Sequence, residues 1–407
     1  MLKVGVFHPV TQHSWQTALA FQEAGRLGWY ATSVYYDPRR WPYRIERWLP
    51  PRLAGRLHAE FARRHMPVLD PDRVHQLNLR EWLSAGCRRL AWHRFEHWMN
   101  AAGRRAFGRA IIRLLEREPV DVVWGYDSSS LEVFRWAKRR GIRCVLDQTI
   151  GHPASQNRVM LAERERHPEF VLDSYRPFDR AWIERQDEEL ALADLVVVGS
   201  EFCRATLIEN GCPADKIRLA PYGADEAVFP KVRPVRPPLA GRPLEFLFVG
   251  SIEARKGMAY LLPAMRQIPP QEARLTLVGR MLMPVETFRR YADRVRHVPH
   301  VPRHAVVPYF LMADCFVFPS LFEGGGIVLY EACSAALGII QSAMCGDGVR
   351  DGANGVVLPE VSVEALVREM QAVIADRGRL ERWQEASWAG HGERSWAAYR
   401  ALLRTLT

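Results

Sequence analysis

The sequence lacks the features that place a protein in a membrane or in a disulfide-rich or zinc-bound class. It has no run of 18 apolar residues, so no membrane-spanning helix is expected. Its first ten residues, MLKVGVFHPV, lack the charged region, long apolar core and small-residue cleavage site of a signal peptide. Its seven cysteines are scattered and include no CxxC pair, which favours a reducing compartment. We therefore expect a cytoplasmic protein that is at most peripheral to the inner face of the cell membrane.

Two binding signatures are also missing. The chain shows no zinc-finger or RNA-recognition signature, so no nucleic-acid partner is expected. An NAD-dependent oxidoreductase would need a GxGxxG turn followed by an acidic residue about 20 positions later. Neither GGGIVLYEA nor GRLGWYA fits that pattern. What is present is a chain of 407 residues with 48% hydrophobic and 25% charged residues, enough for two globular domains.

Lysine is scarce, and arginine carries the positive charge. Residues 39–118 hold 18 arginines, no lysine and 8 acidic residues, which accounts for the whole net charge of +10. A basic segment that bears tryptophans suits an anionic membrane surface or an acidic acceptor. A solvated helical insertion explains the same composition. Nucleic acid is a third alternative, but no recognition signature in the sequence supports it. The tryptophans of this segment are Trp41, Trp48, Trp82, Trp92 and Trp98.

Apolar runs of strand length alternate with helical patterns along most of the chain, which favours parallel sheets covered on both faces. The proline-rich segment 229–243 interrupts this pattern and predicts a linker. We therefore expect an α/β fold with two doubly wound domains, at 1–228 and 244–385. The strand-like runs are KVGVF, YATSVYY, VDVVWGY, RCVLDQ, DLVVVGS and KIRLAPY before the linker, and LEFLFVG, ARLTLVG, CFVFPS, GIIQS and GVVLP after it.

The segment FPSLFEGGGIVLYEA, residues 318–332, predicts a strand-to-helix turn with three glycines. The unpaired amides and positive dipole of a helix start bind anions, and glycine lets phosphates approach the backbone. Glu323 would lie in the loop and Glu331 about two turns into the helix. Each carboxylate would then accept hydrogen bonds from hydroxyl groups, one on each side of a phosphate. A ligand with central phosphates and hydroxyls at both ends has the shape of a nucleotide-sugar.

Two further strand ends place cations near the same cleft. FLFVGSIEARKG ends a strand at Gly250 and puts Arg255 and Lys256 in the following loop, and LTLVGR puts Arg280 after Gly279. Such cations would concentrate positive potential on a diphosphate. The alternative is ordinary surface charge at a helix start, where basic residues are unfavourable to the helix dipole.

VGSIEARKG, LTLVGR and FVFPSLFEGGGIVLYEA, in this order, resemble the retaining GT-B glycosyltransferases of the bacterial group 1 (family 4) type. The segment ADLVVVGSEFCRATLIENGCPADKIRLAPYGAD resembles the end of that family's first domain. The resemblance covers about 190–360. It implies two Rossmann-like domains facing across a cleft, with a C-terminal helix, 386–407, that crosses back onto the first domain. It also implies retaining transfer of a sugar from a nucleotide-diphosphate donor to a carbohydrate or lipid-linked acceptor in polysaccharide or glycolipid assembly.

The resemblance also implies roles for individual residues. Glu331 would hold the ribose, Glu323 would contact the donor sugar and Lys256 would neutralise the diphosphate. Ser251 stands where the family has an arginine, so Arg255 would supply that guanidinium. His152 would face the donor sugar. The remaining candidates are Gly250, Gly279, Arg280, Gly324, Gly325, Gly326 and Ile327 on the donor side, and His13, Asp127 and Asp147 on the acceptor side.

No cofactor and no required metal are expected, because no DxD-like pair follows a strand of the second domain and the cations would do the metal's work. The family's GxP is replaced by Ala336-Leu337-Gly338, and the following loop, CGDGVRDGANG, is short. These departures support an alternative, a non-catalytic protein that binds a nucleotide-sugar on the same fold. The presence of Glu323, Lys256 and Glu331 favours the enzyme.

Overall fold

The computed structural model describes residues 1–10, 12–37, 43–50, 55, 66–77, 93–299 and 301–407. Its strands are β1 Val4–Phe7, β2 Leu27–Thr32, β3 Val74–Gln76, β4 Val122–Tyr126, β5 Arg143–Gln148, β6 Leu195–Val198, β7 Ile217–Leu219, β8 Leu244–Val249, β9 Ala273–Val278, β10 Val295–Val298, β11 Cys315–Phe318, β12 Gly338–Ser342 and β13 Gly355–Leu358. Its α-helices are α1 Ser14–Glu23, α2 His93–Arg117, α3 Leu131–Lys138, α4 Pro153–Arg166, α5 Arg180–Leu192, α6 Glu201–Glu209, α7 Met258–Gln267, α8 Val285–Arg289, α9 Arg303–Met312, α10 Ile327–Ser334, α11 Val363–Ala375, α12 Arg377–Ala389 and α13 Trp396–Leu403.

The strands form two parallel sheets, which confirms the predicted fold class of two Rossmann-like doubly wound domains. Each predicted strand run contains or overlaps a strand. Central strands such as β4 and β11 are buried along their whole length, as expected for sheets covered on both faces. The sequence interpretation missed β3 and β10. Both are short edge strands with polar residues, so neither shows the continuous apolar run by which a buried strand is recognised.

The strand order of each sheet defines where a ligand can bind. The first sheet runs β3-β2-β1-β4-β5-β6-β7 and the second runs β10-β9-β8-β11-β12-β13. In the second sheet the winding reverses between β8 and β11, and in the first between β1 and β4. Loops that follow the carboxyl ends of two such strands diverge and leave a crevice, which is the usual ligand site in open α/β sheets.

Contacts between Cα atoms divide the chain into two compact units. One contains residues 1–147, 184–197 and 400–407, and the other contains 148–183 and 198–399. This division places residues 148–183 with the second unit, where the hydroxyl of Tyr260 donates a hydrogen bond to buried Glu163 at 2.8 Å. The strand β7 belongs to the first sheet but to the second of these units. Because the two divisions differ, the domain boundaries drawn from the sequence stay predictions.

The last residues of the chain belong to the first unit. There, Arg400 and Arg404 of the C-terminal segment bind the carboxylate of Glu23 on α1, at 3.0 and 2.9 Å. Arg400 also donates to the side-chain oxygen of Gln16 at 2.8 Å. The end of α13 is thus tied to α1 by charged contacts.

Much of the basic segment 39–118 lies outside the described residues, including Trp41, Trp82 and Trp92. Its described part includes α2. Beyond residue 102, one face of α2 buries Phe107, Ile111, Leu114 and Leu115. The opposite face exposes four arginines at a spacing of four residues. These are Arg105, Arg109, Arg113 and Arg117, and none forms an ion pair with another described residue.

Arg236, in the linker, satisfies the carboxyl ends of two helices. Its guanidinium donates to the carbonyls of Leu311 at 2.9 Å and Phe310 at 3.3 Å, and also to those of Ala313 and Ala335. The last carbonyls of a helix have no partner within the helix, so these contacts fix the linker to the ends of α9 and α10. Burial lowers the pKa of Arg236 to about 10.

We expect Arg236→Leu to lower the free energy of unfolding by about 3 kcal/mol, because buried carbonyls would lose their donor. Arg233→Leu is the matched control. Arg233 is 44% exposed and pairs with Glu385 at 3.5 Å, so its loss should cost less than about 1 kcal/mol. Urea denaturation of both variants measures the difference. Equal effects of the two substitutions would contradict the role given to Arg236.

Candidate functional site

Two glycines shape the loops at the carboxyl ends of β8 and β9. Gly250 and Gly279 have φ angles of 155° and 156°, which side chains rarely allow. A Cβ at Gly279 would lie 1.8 Å from the carbonyl oxygen of Gly250, so the two backbones leave no room for one. Beyond them, Ile252 and Met281 form a parallel bridge. Ser251 is half-buried and Arg280 is exposed.

Four charged side chains meet where the loops after β8 and β11 lie side by side. We call Glu253, Arg255, Lys256 and Glu323 the charge cluster. Arg255 Nη2 lies 3.0 Å from Glu253 Oε1. Its other terminal nitrogen, Nη1, lies 3.5 Å from Glu323 Oε2. Lys256 Nζ also pairs with Glu323 Oε2, and Ser320 Oγ lies 3.3 Å from that oxygen. The structure thus brings the predicted Arg255, Lys256 and Glu323 into direct contact.

The environment keeps Glu323 ionised. Burial alone would raise the pKa of its carboxyl, but the charges of Lys256 and then Arg255, with hydrogen bonds from Lys256 and Ser320, outweigh burial and lower the pKa. The ammonium of Lys256 lies 4.8 Å from the centre of the Phe318 ring, which adds a cation–π contact. The charges of the cluster sum to zero, so an anionic ligand would have to replace a carboxylate as the partner of each cation.

Two glycines of the β11–α10 loop are required by close packing against neighbouring segments, which the sequence did not reveal. A Cβ on Gly324 would lie 1.8 Å from the carbonyl oxygen of Thr149, and Gly324 forms an antiparallel bridge with Ile150. A Cβ on Gly325 would lie 2.3 Å from the ring of Tyr222. Protein atoms therefore fill the space beside both glycines.

The start of the helix after this loop determines how deep Glu331 lies in it. Gly326 precedes α10 with a φ of 56°, and Ile327 is the first residue of the helix. Glu331 consequently lies about one turn into α10, not two, and it is 5% exposed. The amide of Ile327 is one of those that a helix start leaves without an intrahelical partner.

His152 lies in a loop that contacts the glycine loop. The bridge between Ile150 and Gly324 joins the two loops, and Gly151 packs against the ring of Phe322. His152 is 1% exposed and precedes α4. Its Nδ1 accepts a hydrogen bond from the amide of Ala154 at 3.2 Å, so a neutral His152 carries its proton on Nε2.

The three acceptor-side candidates lie together in the first unit, at its own winding reversal. His13 Nε2 lies 3.5 Å from Asp147 Oδ1, and Trp124 Nε1 donates to Asp147 Oδ2 at 3.3 Å. The amide of Asp127 donates to the carbonyl of Asp147 at 3.1 Å. Asp147 therefore connects the loops that follow β1 and β4.

The sequence analysis did not single out Glu253 or Tyr222. Glu253 accepts hydrogen bonds from Ser251 at 2.6 Å and from Arg255 at 3.0 Å. A carboxylate two residues from a candidate cation was a signal for this contact. Tyr222 packs against Gly325 and the ring of Trp396, and only its place in the PYGAD turn pointed to it.

Two family models match the chain. The model described as "Glycosyltransferase Family 4" matches residues 19–228, and the one described as "Glycosyl transferases group 1" matches residues 234–388. The O-antigen chain mannosyltransferase B of Escherichia coli is 26% identical over 239 residues, which cover 54% of this chain and 61% of that protein. The D-inositol 3-phosphate glycosyltransferase of Nocardia farcinica is 27% identical over 286 residues, covering 64% and 60%. The chain thus spans less than two thirds of the length of these relatives.

Solved structures share the fold. The sucrose-phosphate synthase of Thermosynechococcus elongatus has a TM-score of 0.69 at 18% identity, covering 100% of this chain and 98% of that one. The HepE protein of Anabaena in complex with UDP-glucose has a TM-score of 0.63 at 11% identity, covering 100% and 99%. Likeness at this level of identity establishes the fold alone.

The ion pair between Lys256 and Glu323 predicts a pH-dependent stability. Lys256→Met should destabilise the protein at pH 7 by about 3 kcal/mol, because Glu323 would stay buried without its nearest cation. The stabilisation supplied by wild-type Glu323 is present above the usual pKa of 4.5 and is lost as the pH falls through its lower folded-state pKa. The difference between variant and wild type should therefore shrink as the pH is lowered from neutral toward that range.

Urea denaturation across that pH range measures this difference. The double variant Lys256→Met/Glu323→Gln is the control and should regain stability at pH 7, because it removes the unpaired charge. A loss that is the same at neutral and acid pH, or that persists in the double variant, would show that Lys256 stabilises the fold by packing alone.

Proposed function

This chain belongs to the family 4 and group 1 glycosyltransferases, and we propose that it transfers a sugar from a nucleotide-diphosphate donor with retention of anomeric configuration. The observation that carries the proposal is the charge cluster at the winding reversal of the second sheet, beside the start of α10. Two cations and a set of helix-start amides converge there, and both bind phosphate groups well.

We assign the donor's parts to the described residues as follows. Lys256 and Arg255 hold the diphosphate together with the amides of Gly325, Gly326 and Ile327. Glu331, buried on α10, accepts hydrogen bonds from the ribose hydroxyls. Glu323 contacts the sugar once the diphosphate has taken over its cations. His152 is the second contact to the sugar, supported by the bridge that joins its loop to the glycine loop.

In this mechanism the bond between the anomeric carbon of the sugar and the diphosphate breaks, and negative charge grows on the leaving phosphate. An acceptor hydroxyl oxygen bonds to the anomeric carbon in its place, and its proton passes to the leaving diphosphate. Lys256, Arg255 and the start of α10 stabilise that charge from fixed positions. Loss of one such fixed donor costs about a hundred- to a thousandfold in rate in comparable oxyanion sites. Because these cations supply the positive charge, we propose that no metal and no cofactor is required.

We propose a carbohydrate or lipid-linked acceptor, in the assembly of a polysaccharide or glycolipid. One named relative, an O-antigen chain mannosyltransferase, supports this class. His13, Asp127 and Asp147 are the proposed acceptor-side residues, supported by the contacts that gather them at the winding reversal of the first sheet.

Hydrolysis of donors across a panel of UDP-, GDP-, ADP-, CDP- and dTDP-sugars tests the proposal. Release of the nucleoside diphosphate from one of them, abolished by Lys256→Ala, is the expected result. Tight binding of a nucleotide-sugar with no turnover, in the presence of sugar acceptors, would favour a non-catalytic binding protein instead. No binding of any donor would overturn both functions.

Glu331→Ala should weaken binding of the nucleoside diphosphate by about 2 kcal/mol, because the ribose hydroxyls lose a charged acceptor. This corresponds to about a thirtyfold rise in Kd, which isothermal calorimetry detects. Glu360→Ala, at an exposed glutamate of the same domain, is the control and should leave Kd unchanged. Unchanged affinity in the Glu331 variant would remove this residue from the nucleotide site.

We further propose that the exposed arginines of α2 contact an anionic membrane surface, where a lipid-linked acceptor would reside. They lie on one face, at a spacing of four residues, and pair with no described carboxylate. Among the described residues, no helix has the length and apolar content to cross a bilayer. The proposed contact is electrostatic, because each arginine near such a surface contributes about 1 kcal/mol, screened by salt.

Anionic liposomes should bind the protein at low salt and release it as salt rises, and neutral liposomes should bind little. Replacing Arg105, Arg109 and Arg113 by serine should weaken binding and leave donor hydrolysis intact. The matched control replaces three exposed arginines that each pair with a carboxylate, namely Arg274, Arg289 and Arg368. Equal losses in the two triple variants would assign binding to overall charge, and absence of wild-type binding would reject the membrane contact.

A further inference from the structure

We propose that Glu253 is a positioning residue that holds Arg255 for the diphosphate. The inference rests on the proposed function, because it assumes that a diphosphate binds at the charge cluster. Neither the family matches nor the motifs assign a role to Glu253.

Glu253 holds Arg255 from one side. Its Oε1 accepts a hydrogen bond from Arg255 Nη2 at 3.0 Å and a second from the hydroxyl of Ser251 at 2.6 Å. The side chain of Glu253 is 24% exposed and that of Arg255 is 18% exposed, so water screens this pair only in part. The donor from Ser251 fixes the carboxylate, and the carboxylate in turn fixes the guanidinium.

The carboxylate on the other side of the guanidinium lies farther away than that of Glu253. Arg255 Nη1 donates to the carbonyl of Phe322 at 2.7 Å, but it lies 3.5 Å from Glu323 Oε2. Glu323 already has Lys256 and Ser320 as partners. A phosphate can therefore replace Glu323 as the partner of Nη1, while Glu253 keeps Nη2 in place. Without Glu253, Arg255 would have to be ordered by the ligand, and the lost side-chain entropy would weaken binding.

The direction in which Kd changes when Glu253 is removed distinguishes a positioning role from simple electrostatic repulsion. A carboxylate that was only a neighbour of a diphosphate would repel it, so its removal should tighten binding. A carboxylate that positions the binding cation should have the opposite effect. The direction of the change in Kd therefore separates the two roles.

The experiment is calorimetry of Glu253→Ala with UDP, GDP, ADP, CDP and dTDP in parallel, each beside its monophosphate. We expect Kd for the diphosphate that the wild type binds to rise by about tenfold, with a smaller change for the monophosphate. Glu253→Gln keeps the side-chain oxygen that accepts from Ser251 and Arg255, so it should restore most of the affinity. Glu286→Ala, at an exposed glutamate paired with Arg289, is the control and should change nothing.

A double-mutant cycle with Arg255→Ala tests whether the effect of Glu253→Ala on Kd is exerted through Arg255. If Glu253 acts through Arg255, the Glu253 substitution should have almost no further effect in the Arg255→Ala background. An undiminished effect there would overturn the assignment. Equal or tighter diphosphate binding by Glu253→Ala would overturn the positioning role while leaving the proposed function intact. If the wild type binds none of the diphosphates, the proposed function fails first and this inference fails with it.

Discussion

The pairing of β8 with β11 is the constraint on which the candidate site depends. These strands are neighbours through Phe246 with Cys315 and Leu247 with Phe316, although β9 and β10 lie between them along the chain. Because both strands end at the same edge of the sheet, the two loops that follow them are forced together. Lys256 and Glu323 meet there across 67 residues of sequence. Neither loop would hold the other's charged side chains if the second sheet wound in one direction only.

The charge cluster that results is balanced before any ligand arrives. Removing a charge from water costs several kcal/mol unless it is paired, so the buried Lys256 and the half-buried Arg255 require two carboxylates to remain in place. The consequence for binding is that an incoming anion gains no net attraction from the cluster as a whole. It gains instead from exchange, in which a phosphate replaces a carboxylate as the partner of a cation. Such an arrangement keeps the site ordered without ligand and favours a ligand that carries both phosphates and hydroxyls, because the released carboxylate finds new donors.

The sequence alone revealed most of the fold and the main charged residues of the site, for identifiable physical reasons. Long apolar runs define β8 and β11. The glycines and helical patterns that follow these runs located Lys256 and Glu323 in the loops at the strand ends. What it could not reveal depends on distant neighbours. The packing role of Gly324 requires the carbonyl of Thr149, and the edge strands β3 and β10 are stabilised by pairing with β2 and β9, not by their own composition. The depth of Glu331 was overestimated as two turns, because Gly326 adopts a left-handed conformation and α10 begins only after it.

The contact between Gly324 and Thr149 links two segments 175 positions apart by steric exclusion. A side chain at position 324 has no space unless the backbone at 149–151 moves away from it. His152, the residue before α4, directly follows that backbone segment. Evolution of one loop is therefore conditional on the other. Insertions or deletions between β5 and α4 would be tolerated only in lineages whose glycine loop changes in step, so both segments should change together among homologues.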